Sequence, residues 1–248
     1  MDLIIFSGQS NMQGSSGEKG FSIAEECFEY KFLTDEFVTV KDPVGEDLGE
    51  DLLCASANGG GSLVPAFCNA YAKKKQAVVA VHVAKGGTTI EEWKKGTDRY
   101  SALIKKCQNA ICKVREFFGI DKIYFVWLQG ESNAVIRTPG DEYLTALIDF
   151  KNSIKTDLGI DKFGIIRVGY FAEYAWWDIR STKIHDEIIM DAQERAVKVD
   201  SDFVMLTRVC AELSVKEEFL NPQENGPHYN NHALDIIGKA AGLALAEI

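Results

Sequence analysis

Short apolar runs recur along this chain at intervals that leave room for a helix between each pair. The first, Leu3-Ile4-Ile5-Phe6, stops at Ser7-Gly8. Similar runs lie at residues 77–83 (AVVAVHV), 122–128 (KIYFVWL), 163–169 (FGIIRVG) and 203–206 (FVML). They are β-branched or aromatic and too short for helices, so each predicts a buried strand. Between them, residues 63–75, 100–118, 140–158 and 184–199 carry helical spacing, and residues 232–247 close the chain in the same way. Five strands alternating with helices predict βαβ crossovers, and therefore a five-stranded parallel sheet covered on both faces. Residues 18–61 are less regular, and 29–40 (EYKFLTDEFVTV) predict a small hairpin turning near Thr34-Asp35. No repeat, low-complexity linker or shift in composition marks a second domain, so residues 1–248 are expected to form one.

In a sheet of this kind the reacting groups gather beyond the carboxyl ends of the strands. The polar clusters fall there. Gly8-Gln9-Ser10-Asn11-Met12 follows the first strand, Lys85-Gly86-Gly87-Thr88 the second, and Gln129-Gly130-Glu131-Ser132-Asn133 the third. The chain has 248 residues, a formal net charge of −10 and a pI near 5.0. That balance repels phosphate backbones and anionic membrane surfaces, so no nucleic acid and no membrane is expected as a partner. The six cysteines form no CxxC pair, and no Cys/His cluster has zinc-ligand spacing, so no metal is expected. Five of them sit among apolar neighbours or in helix-like runs, as small buried hydrophobes do. The opening apolar run is too short for a secretory leader and follows Asp2, which makes a reduced, cytoplasmic protein the expectation.

Serine hydrolysis needs a hydroxyl on a sharp turn, a histidine to take its proton and donors for the oxyanion. Ser10 stands four residues beyond the first apolar run, behind Gly8. A serine leading into a helix has backbone N–H groups at hand, although Ser, Asn and Gly also favour plain helix caps. Gly86-Gly87 permits close backbone approach and a donor N–H; a tight strand-to-helix turn is the plainer reading. Gln129 and Glu131, at the mouth of an apolar strand, are awkward unless something uses them. Gln129 suits an oxyanion donor, and Glu131 suits orienting a histidine. Of the four histidines, His82 lies inside a strand pattern and His185 begins a charged helical segment. His228 and His232 precede the last helix, and the Gly226-Pro227 turn holds His228 where it can reach the sheet edge that bears Ser10.

Taken together, GQSNM, AKGGTTIEEW, WLQGESN and NGPHYNNHALDIIG resemble the blocks of SGNH hydrolases. More narrowly they resemble the sialate O-acetylesterase and acetylxylan esterase branch, carbohydrate esterase family six. EYKFLTDEF, DPVGED and GGGSLVPAF extend the likeness over nearly the whole chain. The resemblance implies a flavodoxin-like three-layer α/β/α sandwich that hydrolyses acetyl esters on sugars through an acyl-enzyme, with no metal or other cofactor. Carried over by motif, Ser10 is the nucleophile and His228 the base. The oxyanion donors are the backbone of Ser10, the pair Gly86-Gly87 and the side chain of Gln129, while Gln9 and Asn11 are expected at the substrate.

Two positions depart from the family. The aspartate that often stands three residues before the histidine is Asn225 here, and an amide cannot stabilise an imidazolium as a carboxylate does. Glu131 supplies the acid in the reading favoured here; Glu224, or a dyad without an acid, are the alternatives. Asn133 occupies a place where the family more usually has an acidic residue. An O-acetyl carbohydrate esterase is the leading expectation. An SGNH lipase or acyl thioesterase is the rival enzyme, against which no long apolar run suits an acyl-chain groove. Asn225 also leaves room for a catalytically impaired carbohydrate-binding protein. Tyr174, Trp176 and Trp177, in a loop after the fourth strand, suit stacking on a sugar face or anchoring a packed loop.

Overall fold

The first apolar run becomes β1 (Asp2–Gly8), and every residue of it is buried. A continuous apolar strand of this kind needs cover on both faces. The computed structural model, which describes residues 1–174, 180–221 and 228–248, supplies that cover. After β1 come α1 (Ser10–Gln13), β2 (Ile23–Lys31), β3 (Glu36–Lys41), α2 (Val64–Ala72), β4 (Val78–Ala84) and α3 (Asp98–Phe117). Then follow β5 (Ile123–Leu128), α4 (Glu131–Val135), α5 (Gly140–Leu158), β6 (Lys162–Ile166) and α6 (Lys183–Val199). The chain ends with β7 (Phe203–Thr207), α7 (Cys210–Leu213) and α8 (Asn231–Ala246).

The sheet has seven strands in the order β3-β2-β4-β1-β5-β6-β7, against the five expected. All neighbours pair parallel except β2 with β3. Without those two, the order is that of a flavodoxin-like sheet, whose topological switch point lies between β1 and β5. The expected hairpin exists, but it joins the sheet. β2 pairs with β4 through Phe28↔Val79 and Glu29↔Ala80 only. Its sequence, IAEECFEYK, is too polar to read as a buried strand; Glu29 is nonetheless buried, held by Lys31 at 2.8 Å and by the Gly45 N–H at 2.7 Å.

The two helical layers follow from side-chain alternation along the strands. Phe6 of β1 meets Phe67 of α2 edge-on, with ring centroids 5.0 Å apart. Phe125 is in register with Ile5, so it points to the opposite face, where it meets Phe150 of α5 at 5.8 Å. α2 packs against α8 on the first face, and α5 packs against α3 and α6 on the second. Among the described residues no helix is long and apolar enough to cross a membrane.

One feature of register positions everything that follows. Gly8 is level with both Ala84 and Leu128, so β4, β1 and β5 end at the same height. The polar clusters after those three strands therefore lie side by side at the switch point.

Candidate active site

The chain turns sharply from β1 into α1. The Gln9 N–H donates to the Leu128 carbonyl at 3.0 Å, and the Lys85 N–H donates to the Gly8 carbonyl at 3.0 Å. Gly8 has φ +148°, and a Cβ there would stand 1.9 Å from the Leu128 oxygen, so only glycine fits. The N–H groups of Met12 and Gln13 both go to the Gln9 carbonyl, and Gly14 closes this single buried turn. Ser10 is the first residue of the helix. It opens onto a cavity of about 450 Å³ that His228, Gly86 and Gly87 also line. Val135, Ile136 and Phe171 supply its apolar wall; Gln9, Ser15, Thr89 and Ser132 supply polar groups.

His228 enters from the segment before α8. Its carbonyl accepts from the Asn221 N–H at 2.7 Å, and its ring meets the Phe171 ring edge-on at 5.4 Å. Phe171 precedes a 3₁₀ turn (Ala172–Tyr174) whose Ala172 and Glu173 N–H groups donate to the Asp186 carboxylate. Burial raises the Asp186 carboxyl to about 6. Phe171 and Asp186 carried no signal in the sequence, because only the folded chain sets the Phe171 ring against His228 and the Asp186 carboxylate under the turn that follows Phe171. Asn225, Glu224, Gly226, Pro227, Trp176 and Trp177 lie outside the described residues. His232 is the second residue of α8 and stacks on Phe219, and the His185 Nδ1 accepts from the Thr182 N–H at the start of α6.

The expected oxyanion donors separate. The Gly87 side of the glycine pair faces open space, whereas the Gly86 N–H already donates to Gln13 Oε1 at 2.7 Å. Gln129 is fully buried and absent from the cavity wall. Its Nε2 donates to the Thr88 carbonyl (3.0 Å), Asn133 Oδ1 (2.7 Å) and Gln9 Oε1 (3.3 Å), which leaves no N–H for an oxyanion. The Gly86 N–H and the Gln129 amide are thus both engaged within the protein.

Gln9 and Asn11 were expected at the substrate. Gln9 lines the cavity, but its Oε1 accepts from the N–H groups of Gly130 (3.3 Å) and Ser132 (3.1 Å) at the start of α4. Asn11 is buried, with both ends of its amide in use. Its Nδ2 donates to Glu131 Oε1 at 2.9 Å, and its Oδ1 accepts from the Tyr229 N–H at 3.3 Å. Glu131 is buried too, its Oε2 has no hydrogen-bond partner among the described residues, and burial raises its carboxyl to about 7. Glu131 thus reaches the histidine segment through Asn11.

Three further framework residues emerge. Gln13 Nε2 donates to the Ala55 carbonyl at 2.6 Å while its Oε1 holds Gly86, so it clamps the glycine loop beneath Ser10. The i, i+3 spacing from Ser10 could have flagged it, since a buried one-turn helix exposes no face where a glutamine would be idle. His82 Nε2 lies 3.1 Å from the Met12 carbonyl, and burial lowers its pKa to about 3, so the ring is neutral beneath α1. Asn133 Oδ1 accepts from the Ile90 N–H and from Gln129, while its Nδ2 donates to Thr138. An amide serves that position because it must both accept and donate.

A serine on a buried turn and a histidine on the wall of the same cavity, at the switch point of the sheet, are the arrangement expected of an SGNH-type esterase. Residues 1–242 match the family described as carbohydrate esterase, sialic acid-specific acetylesterase, so the chain belongs to that family and is a carboxylic ester hydrolase. A probable carbohydrate esterase from Arabidopsis thaliana is 23% identical over 228 residues, spanning 80% of this chain and 82% of that one. The X-ray structure of that Arabidopsis protein superposes with a TM-score of 0.68 at 18% identity, covering 98% and 96% of the two chains. NanS gives 0.65 at 11% identity over 98% and 96%. A lipase/acylhydrolase from Enterococcus faecalis gives 0.58 at 12% identity over 100% and 96%.

Proposed function

We propose that this chain removes O-acetyl groups from a carbohydrate through an acyl-enzyme, with Ser10 as nucleophile and His228 as base. One observation carries the reading: Ser10 and His228 line one cavity together with Gly87, at the switch point of the sheet. Ser10 Oγ attacks the acetyl carbonyl carbon while the imidazole takes its proton. The N–H groups of Ser10 and Gly87 receive the oxyanion. The sugar oxygen then leaves with the proton from His228, and a water deprotonated by the same ring releases acetate and frees Ser10. Glu131 acts behind His228, through the hydrogen bonds that lead to its segment.

A neutral acetylated sugar, as in acetylxylan, fits better than a sialic acid. A sialate carboxylate calls for a cationic partner, and among the described residues the cavity wall holds no lysine or arginine. Residues 175–179 and 222–227 contain none either. The test is acetate release from acetylated xylan, acetylated monosaccharides and O-acetyl sialic acids, with 4-nitrophenyl acetate and octanoate as simple esters. Ser10→Ala should lower turnover to below a few per cent, roughly, of wild type in a folded protein. Higher residual turnover eliminates the serine mechanism. Faster hydrolysis of octanoate would favour the lipase reading, for which the Val135-Ile136-Phe171 wall is the relevant feature.

A further inference from the structure

Asn11 sits beside the nucleophile on a one-turn helix, yet its side chain points away from the cavity and into the protein. We propose that Asn11 is a positioning residue that ties the His228 segment to Glu131 and to the helix carrying Ser10. This rests on the Ser10–His228 reading and adds to it the device that keeps the two in register.

The chain of contacts is short and directional. The buried Glu131 carboxylate accepts from Asn11 Nδ2 at 2.9 Å, and Asn11 Oδ1 accepts from the backbone N–H of Tyr229 at 3.3 Å. Tyr229 directly follows His228, so its N–H belongs to the peptide unit that fixes the direction of the histidine backbone. α1 is a single turn between Gln9 and Gly14, so Asn11 and Ser10 are adjacent residues of one short buried element. Other contacts also hold this segment: the Tyr229 hydroxyl donates to the Cys210 carbonyl at 3.0 Å, and the Asn221 N–H donates to the His228 carbonyl. Asn11 is the contact that comes from the nucleophile's own helix. An amide suits the place, since the bridge donates to a carboxylate on one side and accepts from an N–H on the other. In a general-base reaction a displacement of about 1 Å between the reacting groups costs on the order of 10²-fold in rate, so a tie of this kind acts on turnover.

The experiment compares Asn11→Ala, Asn11→Asp, Glu131→Gln and the double variant Asn11→Asp/Glu131→Gln on 4-nitrophenyl acetate, with thermal melts to establish folding. Asn11→Ala should lower kcat about 10²-fold while KM changes by less than about threefold. Asn11→Asp keeps the acceptor for Tyr229 but sets a carboxylate against Glu131, and should be similarly slow. Adding Glu131→Gln reverses the donor and acceptor between the two side chains and restores the bridge, so the double variant should recover at least about tenfold in kcat over Asn11→Asp. A residue that merely supports the fold would show no such rescue. Near-wild-type kcat in Asn11→Ala overturns the proposal, as does a change confined to KM, which returns Asn11 to the substrate. A double variant no faster than the slower single variant overturns it as well. The outcome for Ser10→Ala is separate: if that variant keeps turning over, the serine reading fails, whereas an inert Ser10→Ala beside an unaffected Asn11→Ala removes only the bridge.

Discussion

Gln129 is conspicuous in the sequence, and its partners in the structure give it a framework part to play. A glutamine ending an apolar strand suggests a donor for an oxyanion, but its side-chain amide is held within the protein, and its backbone carbonyl accepts from the Tyr143 hydroxyl at 2.8 Å and Gln193 Nε2 at 2.9 Å. Gln129→Ala should therefore act on stability. Removing a buried amide leaves Thr88, Asn133 and Gln9 short of a donor, a loss on the order of 2–4 kcal/mol that urea unfolding would measure. Under conditions where the variant is folded, kcat should stay within about tenfold of wild type. A loss of about 10²–10³ in kcat in folded protein would return Gln129 to the oxyanion. Ser10 and His228, the proposed nucleophile and base, stood out in the sequence because each lies in a turn at the edge of a motif, Ser10 just after an apolar strand and His228 just before the last helix. The identity of the remaining donors was not legible, because backbone and amide groups are everywhere, and only their partners separate framework from function.

At the scale of elements, the position of His228 depends on how α8 seats on α2. α8 begins at Asn231, three residues beyond the histidine, and Asn230 caps it by accepting from the Ala233 N–H at 3.0 Å. Gly238 and Gly242, one turn apart, let the two helices approach closely. A Cβ on Gly238 would stand 2.2 Å from the Leu63 carbonyl oxygen, and one on Gly242 would stand 2.4 Å from that of Phe67. These are backbone atoms, so they cannot swing aside. Alanine in an open helix would gain about 1 kcal/mol over glycine. Here the clash reverses the sign, and Gly238→Ala should destabilise by roughly 1–3 kcal/mol in equilibrium unfolding. Because the helix start carries the histidine segment, kcat on an acetate ester should fall while the Ser10 turn stays intact. A stabilised variant with unchanged kcat would show that the crossing is looser than these distances. The apolar period of residues 232–247 predicted this helix; the need for glycine at 238 and 242 follows only from the neighbour it meets.

Across the whole molecule, buried carboxyls couple stability to pH. Asp42 is the first residue after β3, and its buried Oδ1 accepts from the Ser62 N–H (3.0 Å) and hydroxyl (2.7 Å). Burial, with Asp235 nearby, raises its pKa to about 7. An unfolded aspartate titrates near ~3.9, so the folded state holds the proton more tightly between those values. The stability this contributes is complete below about pH 4 and is lost as pH rises through about 7. Glu131 (about 7) and Asp186 (about 6) act in the same direction. Asp42→Asn keeps an acceptor for Ser62 and removes the titration. It should gain on wild type between pH 5 and pH 8 by on the order of 2–4 kcal/mol, as read from urea unfolding at both values. Parallel pH profiles for the two proteins would mean that Asp42 is ionised throughout.

The sequence alone determined the alternation of strand and helix, the parallel sheet, and the placing of Ser10, Gly86-Gly87 and Glu131 just after strands, because period and punctuation are local properties. It also supplied the motifs that place the chain among carbohydrate esterases. The tertiary structure decided the rest. It added β2 and β3 to the sheet, since charged strands such as IAEECFEYK are held by partners distant in sequence and not by their own hydrophobicity. It levelled the ends of β4, β1 and β5, which is a matter of register between chains of contacts that no single segment encodes. Most of all it turned Asn11, Gln13 and Gln129 inward, because the direction and partners of a buried amide depend on which carbonyls and carboxylates the fold brings within about 3 Å of it.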